Sequence, residues 1–172
     1  MKLLLALVAA LLATPARAHG PTPIKVSETI AVAAKPEAVW AIAGKFDGLA
    51  SWHPDVKAVK AKGGDAAGAE RELTLKGGVV KEGLDEYDAA NFKMTYRMSD
   101  PNLDAIPASS YSVTLTIKPV AGGSEVAWYG RLYRGDTSNE PPDNLNDDAA
   151  RTAMSDFLKA GLGGLKKKVE GK

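Results

Sequence analysis

Residues 71–84 read RELTLKGGVVKEGL and contain the signal of a complete β-hairpin. Apolar and polar side chains alternate on both sides of Gly77-Gly78, which is the pattern of two half-buried strands joined by a tight turn. A two-residue loop at these glycines predicts that Leu73 faces Glu82 and that Arg71 faces Leu84. The side chains sharing one face are then those of Arg71, Leu73, Leu75, Val80, Glu82 and Leu84.

Two opposite charges stand on this mainly apolar face. Because its apolar members make it the inner face, Arg71 and Glu82 come diagonally close inside the sheet. Buried charges need partners, and each of these two supplies the other's. We therefore predict a buried ion pair that lines a cavity inside the sheet. The alternative is that one or both side chains reach solvent at the rim of the sheet.

Further strands and two short helices extend from the hairpin. Alternating patterns and glycine- or proline-rich turns predict seven antiparallel strands. They cover residues 24–34, 55–62, 69–76, 79–87, 92–99, 109–120 and 124–134. After the first strand, Pro36 opens a short helix, and a further helical turn ends at Trp52-His53-Pro54.

One long helix follows the last strand, over about residues 145–168. Its predicted apolar face consists of Ala149, Ala153, Met154, Phe157, Gly161, Leu162 and Leu165. The lysine run at residues 166–168 complements the helix dipole and needs no ligand to explain it. Three glycines, at 161, 163 and 164, each disfavour the helix by about 0.5–1 kcal/mol. They indicate close contact with a sheet or ligand, or a weakened last segment.

These elements have one sensible arrangement. The sheet has one apolar face and the single long helix has another. Both apolar faces are buried when the sheet curls around the helix. We predict an α+β helix-grip fold: a seven-stranded curved antiparallel sheet around a long C-terminal helix, with two short helices after the first strand. Because one helix cannot fill such a sheet, we expect a cavity between them.

The first eighteen residues have the pattern of a secretory signal peptide. Lys2 precedes an apolar run, and the segment ends in Ala16-Arg17-Ala18. The run is too short for a membrane span, and Pro15 argues against a buried helix. We predict a cleaved signal peptide at 1–18, a flexible mature start at 19–23, a helix-grip domain at 24–172, and an exported protein.

Composition excludes several classes of function. The mature chain would carry 20 basic and 21 acidic residues, and no basic patch interleaved with aromatic residues suggests a nucleic acid partner. The chain has no cysteine and only two histidines, so thiol nucleophiles, Cys-ligated zinc and iron–sulfur clusters are excluded. We expect no cofactor, no metal site and no membrane span.

Aromatic side chains with a polar tip are predicted to face the same interior as the ion pair. Such residues suit a pocket for a partly polar ligand, although residues of this kind more often belong to a plain core, which is the favoured interpretation. The candidate ligand-binding set is Trp52, His53, Arg71, Glu82, Tyr96, Tyr111 and Trp128.

His53 is the most chemically versatile member, because an ordinary histidine titrates near neutral pH. It stands where the second short helix meets the strands, at the mouth of the expected pocket. A general base there would need an acid partner, for which Glu82 and Asp55 are candidates. A structural or ligand-orienting histidine is the favoured interpretation, and we predict no catalytic residue.

The element order, with residues 36–40 and 46–54, resembles the START/Bet v 1-like superfamily over residues 24–170. That superfamily includes polyketide cyclases, lipid-transfer domains and plant hormone receptors. The resemblance implies the helix-grip fold and leaves the function open.

A narrower set of motifs resembles the MxaD-type accessory proteins of bacterial methanol oxidation. These motifs are residues 19–23, 52–54, 73–76, 133–135, 141–142 and 145–147. The resemblance implies a periplasmic protein that assists methanol dehydrogenase and its cytochrome c acceptor. It supplies no catalytic residues.

We therefore expect an accessory or binding protein, with a small hydrophobic or aromatic ligand as an additional option. The polar loop at 135–144, which contains paired prolines, is the segment predicted to contact a protein partner. Two alternatives remain open: a cyclase- or dehydratase-like enzyme using His53 and Glu82, and a carrier of hydrophobic metabolites.

Overall fold

Seven antiparallel strands form a single sheet in the computed structural model, which describes residues 20–171. The strands are β1 (Ile24–Val32), β2 (Ala58–Lys62), β3 (Glu70–Leu75), β4 (Gly78–Asp88), β5 (Lys93–Asp100), β6 (Ala108–Val120) and β7 (Gly123–Arg134). Their order across the sheet is β1-β7-β6-β5-β4-β3-β2. Bulges in β4 and β6 interrupt the pairing and bend the strands. The predicted helix-grip architecture is confirmed.

The helices also follow the prediction in number and order. Helix α1 (Pro36–Ala43) and a 3₁₀ turn (Leu49–Ser51) lie after β1, and the long helix α2 (Asp147–Glu170) closes the chain. The side chain of Asn146 accepts a hydrogen bond from the Ala149 N–H at 2.9 Å and so caps α2. The helix begins later than predicted, because residues 143–145 form a separate 3₁₀ turn.

Two predicted segments precede the first strand. The predicted signal peptide, residues 1–18, and His19 lie outside the described residues. Residues 20–23 precede β1 without regular structure, and the flexibility predicted for 19–23 stays a prediction. No helix in the described range 20–171 combines the length and apolar character needed to cross a membrane.

The second strand is shorter than predicted. It begins at Ala58 and not at residue 55, because the chain first turns back on itself. The Val56 N–H donates to the His53 carbonyl oxygen at 3.2 Å within this turn. Strand pairing resumes once the turn is complete.

The β3–β4 hairpin has a register two residues away from the predicted one. Leu75 pairs with Gly78 and Arg71 pairs directly with Glu82, so the turn residues are Lys76 and Gly77. The turn packs on the 102–105 segment, and a side chain at Gly77 would overlap the carbonyl oxygen of Asp104. A shift of two residues keeps each side chain on its face. The diagonal pairing is therefore wrong, whereas the shared inner face is confirmed.

The buried stripe of α2 is rotated from the predicted one. Its buried residues are Ala150, Met154, Leu158, Gly161, Leu162 and Leu165. Ala149, Ala153 and Phe157, which were predicted to face the core, are half-buried. Apolar residues occur in adjacent pairs along this helix, so periodicity alone does not rank the two neighbouring stripes.

Two helix glycines permit the close approach of α2 to the Trp52–Pro54 segment. A Cβ added at Gly161 would lie 2.6 Å from both His53 and Trp128, and one at Gly164 would overlap the Trp52 carbonyl oxygen. Gly163 meets nothing within 4 Å. The interpretation of Gly161 and Gly164 as close-contact positions is confirmed.

These contacts predict opposite effects for two alanine substitutions. Gly164→Ala should lower the free energy of unfolding by about 1–3 kcal/mol, because the helix must move away from Trp52. Gly163→Ala should raise it by about 0.5–1 kcal/mol, because alanine favours the helix and finds open space. Urea unfolding of both variants measures the difference. Equal effects of the two substitutions would contradict the close packing of α2.

Candidate functional site

A buried ion pair occupies the inner face of the β3–β4 hairpin. The Nε of Arg71 donates to Oε2 of Glu82 at 2.6 Å, and both side chains are 2 % exposed. The two residues face each other directly across the strands. The predicted ion pair is confirmed, and the alternative that either side chain reaches solvent is wrong.

The neighbours of this pair satisfy most of its remaining polar groups. Nη1 of Arg71 donates to the Phe46 carbonyl oxygen at 2.8 Å, and the Tyr111 hydroxyl donates to Oε1 of Glu82 at 2.6 Å. The guanidinium lies between two rings, with Cζ 4.3 Å from the centroid of Phe46 and 4.5 Å from that of Tyr96. Aromatic faces stabilise a cation electrostatically. Both charges are therefore held by protein groups.

The protonation states of the network follow from its burial and its charges. Burial is the largest influence and lowers the pKa of Arg71, but the charge and hydrogen bond of Glu82, together with Tyr96 and Tyr111, raise the pKa above its usual value. Burial, reinforced by the Glu82 charge, raises the pKa of Tyr96 and of Tyr111. Both phenols are neutral at physiological pH, and Arg71 stays charged.

The aromatic members of the candidate set continue the network towards helix α2. Nε1 of Trp128 donates to the Tyr96 hydroxyl at 3.0 Å. The Trp128 and Trp52 rings lie 5.6 Å apart, between centroids. All seven predicted residues are thus buried and brought together, while the ligand-binding role assigned to them stays a prediction.

His53 connects this cluster to α2. Its Nε2 lies 3.0 Å from the Phe157 carbonyl oxygen, and its Nδ1 accepts from the Asp55 N–H at 3.2 Å. These partners assign the proton of the neutral ring to Nε2. Burial lowers the pKa of His53 to about 4, although the Phe157 carbonyl acts in the opposite direction. Neither carboxylate proposed as its acid partner contacts the ring: Asp55 bonds through its backbone and Glu82 bonds to Arg71 and Tyr111.

Two important members were missed in the sequence. The Phe46 ring stacks on the Arg71 guanidinium, and the Phe46 carbonyl oxygen accepts a hydrogen bond from Nη1 of Arg71. The Phe157 ring stacks on His53 with ring centroids 4.0 Å apart. A backbone carbonyl acceptor leaves no residue-type signal. Gly161, four residues after Phe157, was the available hint of a tight contact at this position.

Two hydrogen-bond donors are left unpaired in the interior. Nε1 of Trp52 and Nη2 of Arg71 are buried without a hydrogen-bond partner among residues 20–171. An unpaired buried donor is destabilising unless an acceptor reaches it. A small molecule offering carbonyl or carboxylate oxygen would complement both atoms.

Two grooves lie close to the candidate residues. One, of about 280 Å³, is bordered by Arg71 and Glu82 together with charged residues of β2, β3 and β4. Those charged residues alternate with the ion pair along their strands, so they occupy the outer face of the sheet.

The second groove, of about 820 Å³, lies between α2, the β3–β4 turn and the 101–107 loop, and is termed the mouth groove. Its apolar lining comes from Leu75, Ile106, Ala153 and Phe157. It therefore adjoins the His53 contact with Phe157. No group of three or more potential metal-ligating side chains is present in the described residues.

Comparison with known proteins places the chain within a family. A family model described as polyketide cyclase / dehydrase and lipid transport matches residues 23–170. A search of curated proteins finds no match.

Solved structures share the architecture at low identity. XoxI from Bacillus cereus has a TM-score of 0.70 at 21% identity, covering 85% of this chain and 95% of that one. Zhui aromatase/cyclase from Streptomyces sp. R1128 has a TM-score of 0.69 at 18% identity, with coverages of 87% and 94%. Ara h 8.0201 has a TM-score of 0.69 at 14% identity, with coverages of 88% and 100%. These likenesses establish the Bet v 1-like helix-grip fold and no shared activity.

The ion pair predicts a non-additive effect on stability. Glu82→Leu should lower the free energy of unfolding by about 3–5 kcal/mol, because it leaves the Arg71 charge buried without its partner. The double variant Arg71→Met/Glu82→Leu should be more stable than the single variant, since no buried charge remains. Denaturant unfolding of both variants tests this order.

A surface pair provides the control. Lys62 and Glu70 lie 3.0 Å apart with side chains 78% and 60% exposed, so Glu70→Leu should change stability little. A double variant less stable than Glu82→Leu would show that Arg71 is stabilised without the carboxylate.

His53 predicts a loss of stability in mild acid. Its pKa is about 4 in the folded chain, against 6.5 for an ordinary histidine, so the unfolded chain binds the proton first as the pH falls. This residue's contribution is complete above pH 6.5 and decreases towards pH 4, by about 3 kcal/mol in total. His53→Gln should lack this part of the pH dependence. Measuring the free energy of unfolding from pH 7 to 4 in both proteins tests this contribution. Parallel curves would contradict the lowered pKa of His53.

Proposed function

Because the chain belongs to the polyketide cyclase, dehydrase and lipid-transport family, we propose that it is a binding protein of that family and not a catalyst. The observation that supports this is the engagement of His53 and Glu82, the two residues of the cyclase-like alternative, by protein partners. Both Glu82 oxygens accept short hydrogen bonds, and both His53 ring nitrogens have backbone partners. A general base needs a free position and a pKa near the working pH.

The protein is proposed to act in the periplasm as an accessory protein of methanol oxidation. The support is the signal-peptide pattern of residues 1–18 and the sequence resemblance to MxaD-type proteins. In this proposal the protein assists methanol dehydrogenase and its cytochrome c acceptor by contact, with no redox group of its own.

The loop between β7 and α2, residues 135–146, includes the 135–144 segment that was predicted to contact a protein partner. It is proposed as part of the contact surface. Arg134 holds it from within: Nε donates to the Asp136 carbonyl oxygen and Nη2 to that of Ser138, each at 2.7 Å. Residues 137–140 and 142–144 remain exposed. A loop held in one conformation loses less entropy on binding.

A second candidate function is favoured by the unpaired donors Trp52 Nε1 and Arg71 Nη2. They would suit a carrier, or a cyclase-like enzyme, whose ligand offers a carbonyl or carboxylate oxygen to the interior. Such a ligand has to displace packed aromatic side chains, so its entry requires local repacking.

The two candidates differ in what the protein should bind and accelerate. The accessory function predicts that the purified protein binds methanol dehydrogenase or cytochrome c in calorimetry and raises the rate of electron transfer between them. Native mass spectrometry of protein purified from its host addresses the second candidate, which predicts a retained small molecule.

A matched variant makes the accessory test specific. Arg134→Gln releases the 135–146 loop and should reduce binding, whereas Arg131→Gln, on an exposed side chain of the same strand, should not. Absence of binding and of any rate change would reject the methanol-oxidation role. A retained ligand in that case would favour the carrier.

A further inference from the structure

The mouth groove is one part of a larger surface at this end of the molecule. The 101–107 loop forms one side of the groove through Asp104, Ala105 and Ile106. The same loop abuts the 135–146 loop, because a side chain added at Gly135 would lie 3.3 Å from Leu103 and 3.2 Å from the Pro107 carbonyl oxygen. The mouth groove, Leu103 and the 135–146 loop together are termed the mouth surface.

Uncompensated negative charge surrounds the apolar part of this surface. Asp55, Asp104 and Asp156 line the groove with Lys57 and Lys76, and all five side chains are exposed. None of the five forms a salt bridge with another residue in the range 20–171. Their charges are therefore available to a partner.

The adjoining loop adds further negative charge. It contributes Asp136, Glu140 and Asp143, while Arg134 is paired with Asp147 at 3.3 Å. Six carboxylates thus face two lysines, a formal charge of −4 on a chain whose total is +1. The mouth surface is therefore negatively charged.

Partly exposed apolar side chains also belong to this surface. The groove has a volume of about 820 Å³, which several side chains can occupy, and the half-buried Phe157 is among its lining residues. Leu103 is 37% exposed beside it. Apolar anchors surrounded by complementary charge are the usual composition of a protein-binding surface.

We infer that the mouth surface docks a basic, partly apolar segment of a protein partner. Cationic side chains of that segment face the carboxylate rim, and its apolar side chains enter the groove. The inference rests on the proposed binding function and specifies the chemistry of the partner. Nucleic acid and anionic lipid surfaces are repelled by the same charge.

The probe for this inference is a short amphipathic helical peptide built from Leu and Lys, with a Leu and Glu peptide as its counterpart. The Lys peptide should bind the protein in calorimetry, less tightly as salt rises. The double substitution Asp104→Lys/Asp156→Lys should weaken binding by about tenfold or more. The same variant should gain affinity for the Glu peptide, which shows that it remains folded and that charge decides.

Matched controls lie at the far end of the molecule. Glu125 is exposed and Val120 is 44% exposed at the β6–β7 turn, about 30 Å along β7 from Arg134. Glu125→Lys and Val120→Ser should leave binding unchanged, whereas Leu103→Ser should weaken it. Equal losses in the control variants, or tighter binding to anionic vesicles than to the Lys peptide, would overturn the inference.

The outcomes also separate this inference from the proposed function. If the Lys peptide binds at the mouth surface while methanol dehydrogenase and cytochrome c do not bind, the docking surface stands and the methanol-oxidation role fails. If either protein binds and Asp104→Lys/Asp156→Lys has no effect, the role stands and the docking surface is wrong.

Discussion

The salt bridge between Arg71 and Glu82 is the interaction around which the interior is organised. Removing two charges from water is strongly unfavourable unless each is paired and hydrogen-bonded. The surrounding structure meets this requirement with the Phe46 carbonyl, the Tyr111 hydroxyl and two aromatic faces. These contacts join four neighbouring strands, β3, β4, β5 and β6, to the segment that follows helix α1. The pair therefore disfavours any strand register that would separate its members.

Aromatic contacts extend from this network to the part of the interior next to helix α2. Trp128 bonds to Tyr96, and its ring lies against Trp52 and His53. The His53 ring reaches the Phe157 carbonyl only because Gly161 has no side chain to block it. Glycines that weaken an isolated helix thus permit a contact that positions α2 on the sheet.

Sequence patterns predicted the architecture well because strand alternation and helix periodicity report directly on burial. They also placed Arg71 and Glu82 on one face, since an error of two residues in register preserves the parity of a strand. The exact turn was missed because it depends on Asp104, a neighbour distant in sequence. The buried stripe of α2 and the backbone partners of His53 were missed for a related reason: both depend on tertiary packing that local periodicity does not encode.

The distribution of charge connects the interior to the proposed function. Charges inside the domain are neutralised by neighbours within hydrogen-bond distance, so they leave few groups for chemistry. Charges at the mouth surface form no salt bridge among the described residues and lie beside the partly exposed Leu103 and Phe157 side chains. This distribution supports the proposal of recognition at the mouth surface over reaction at the centre of the domain.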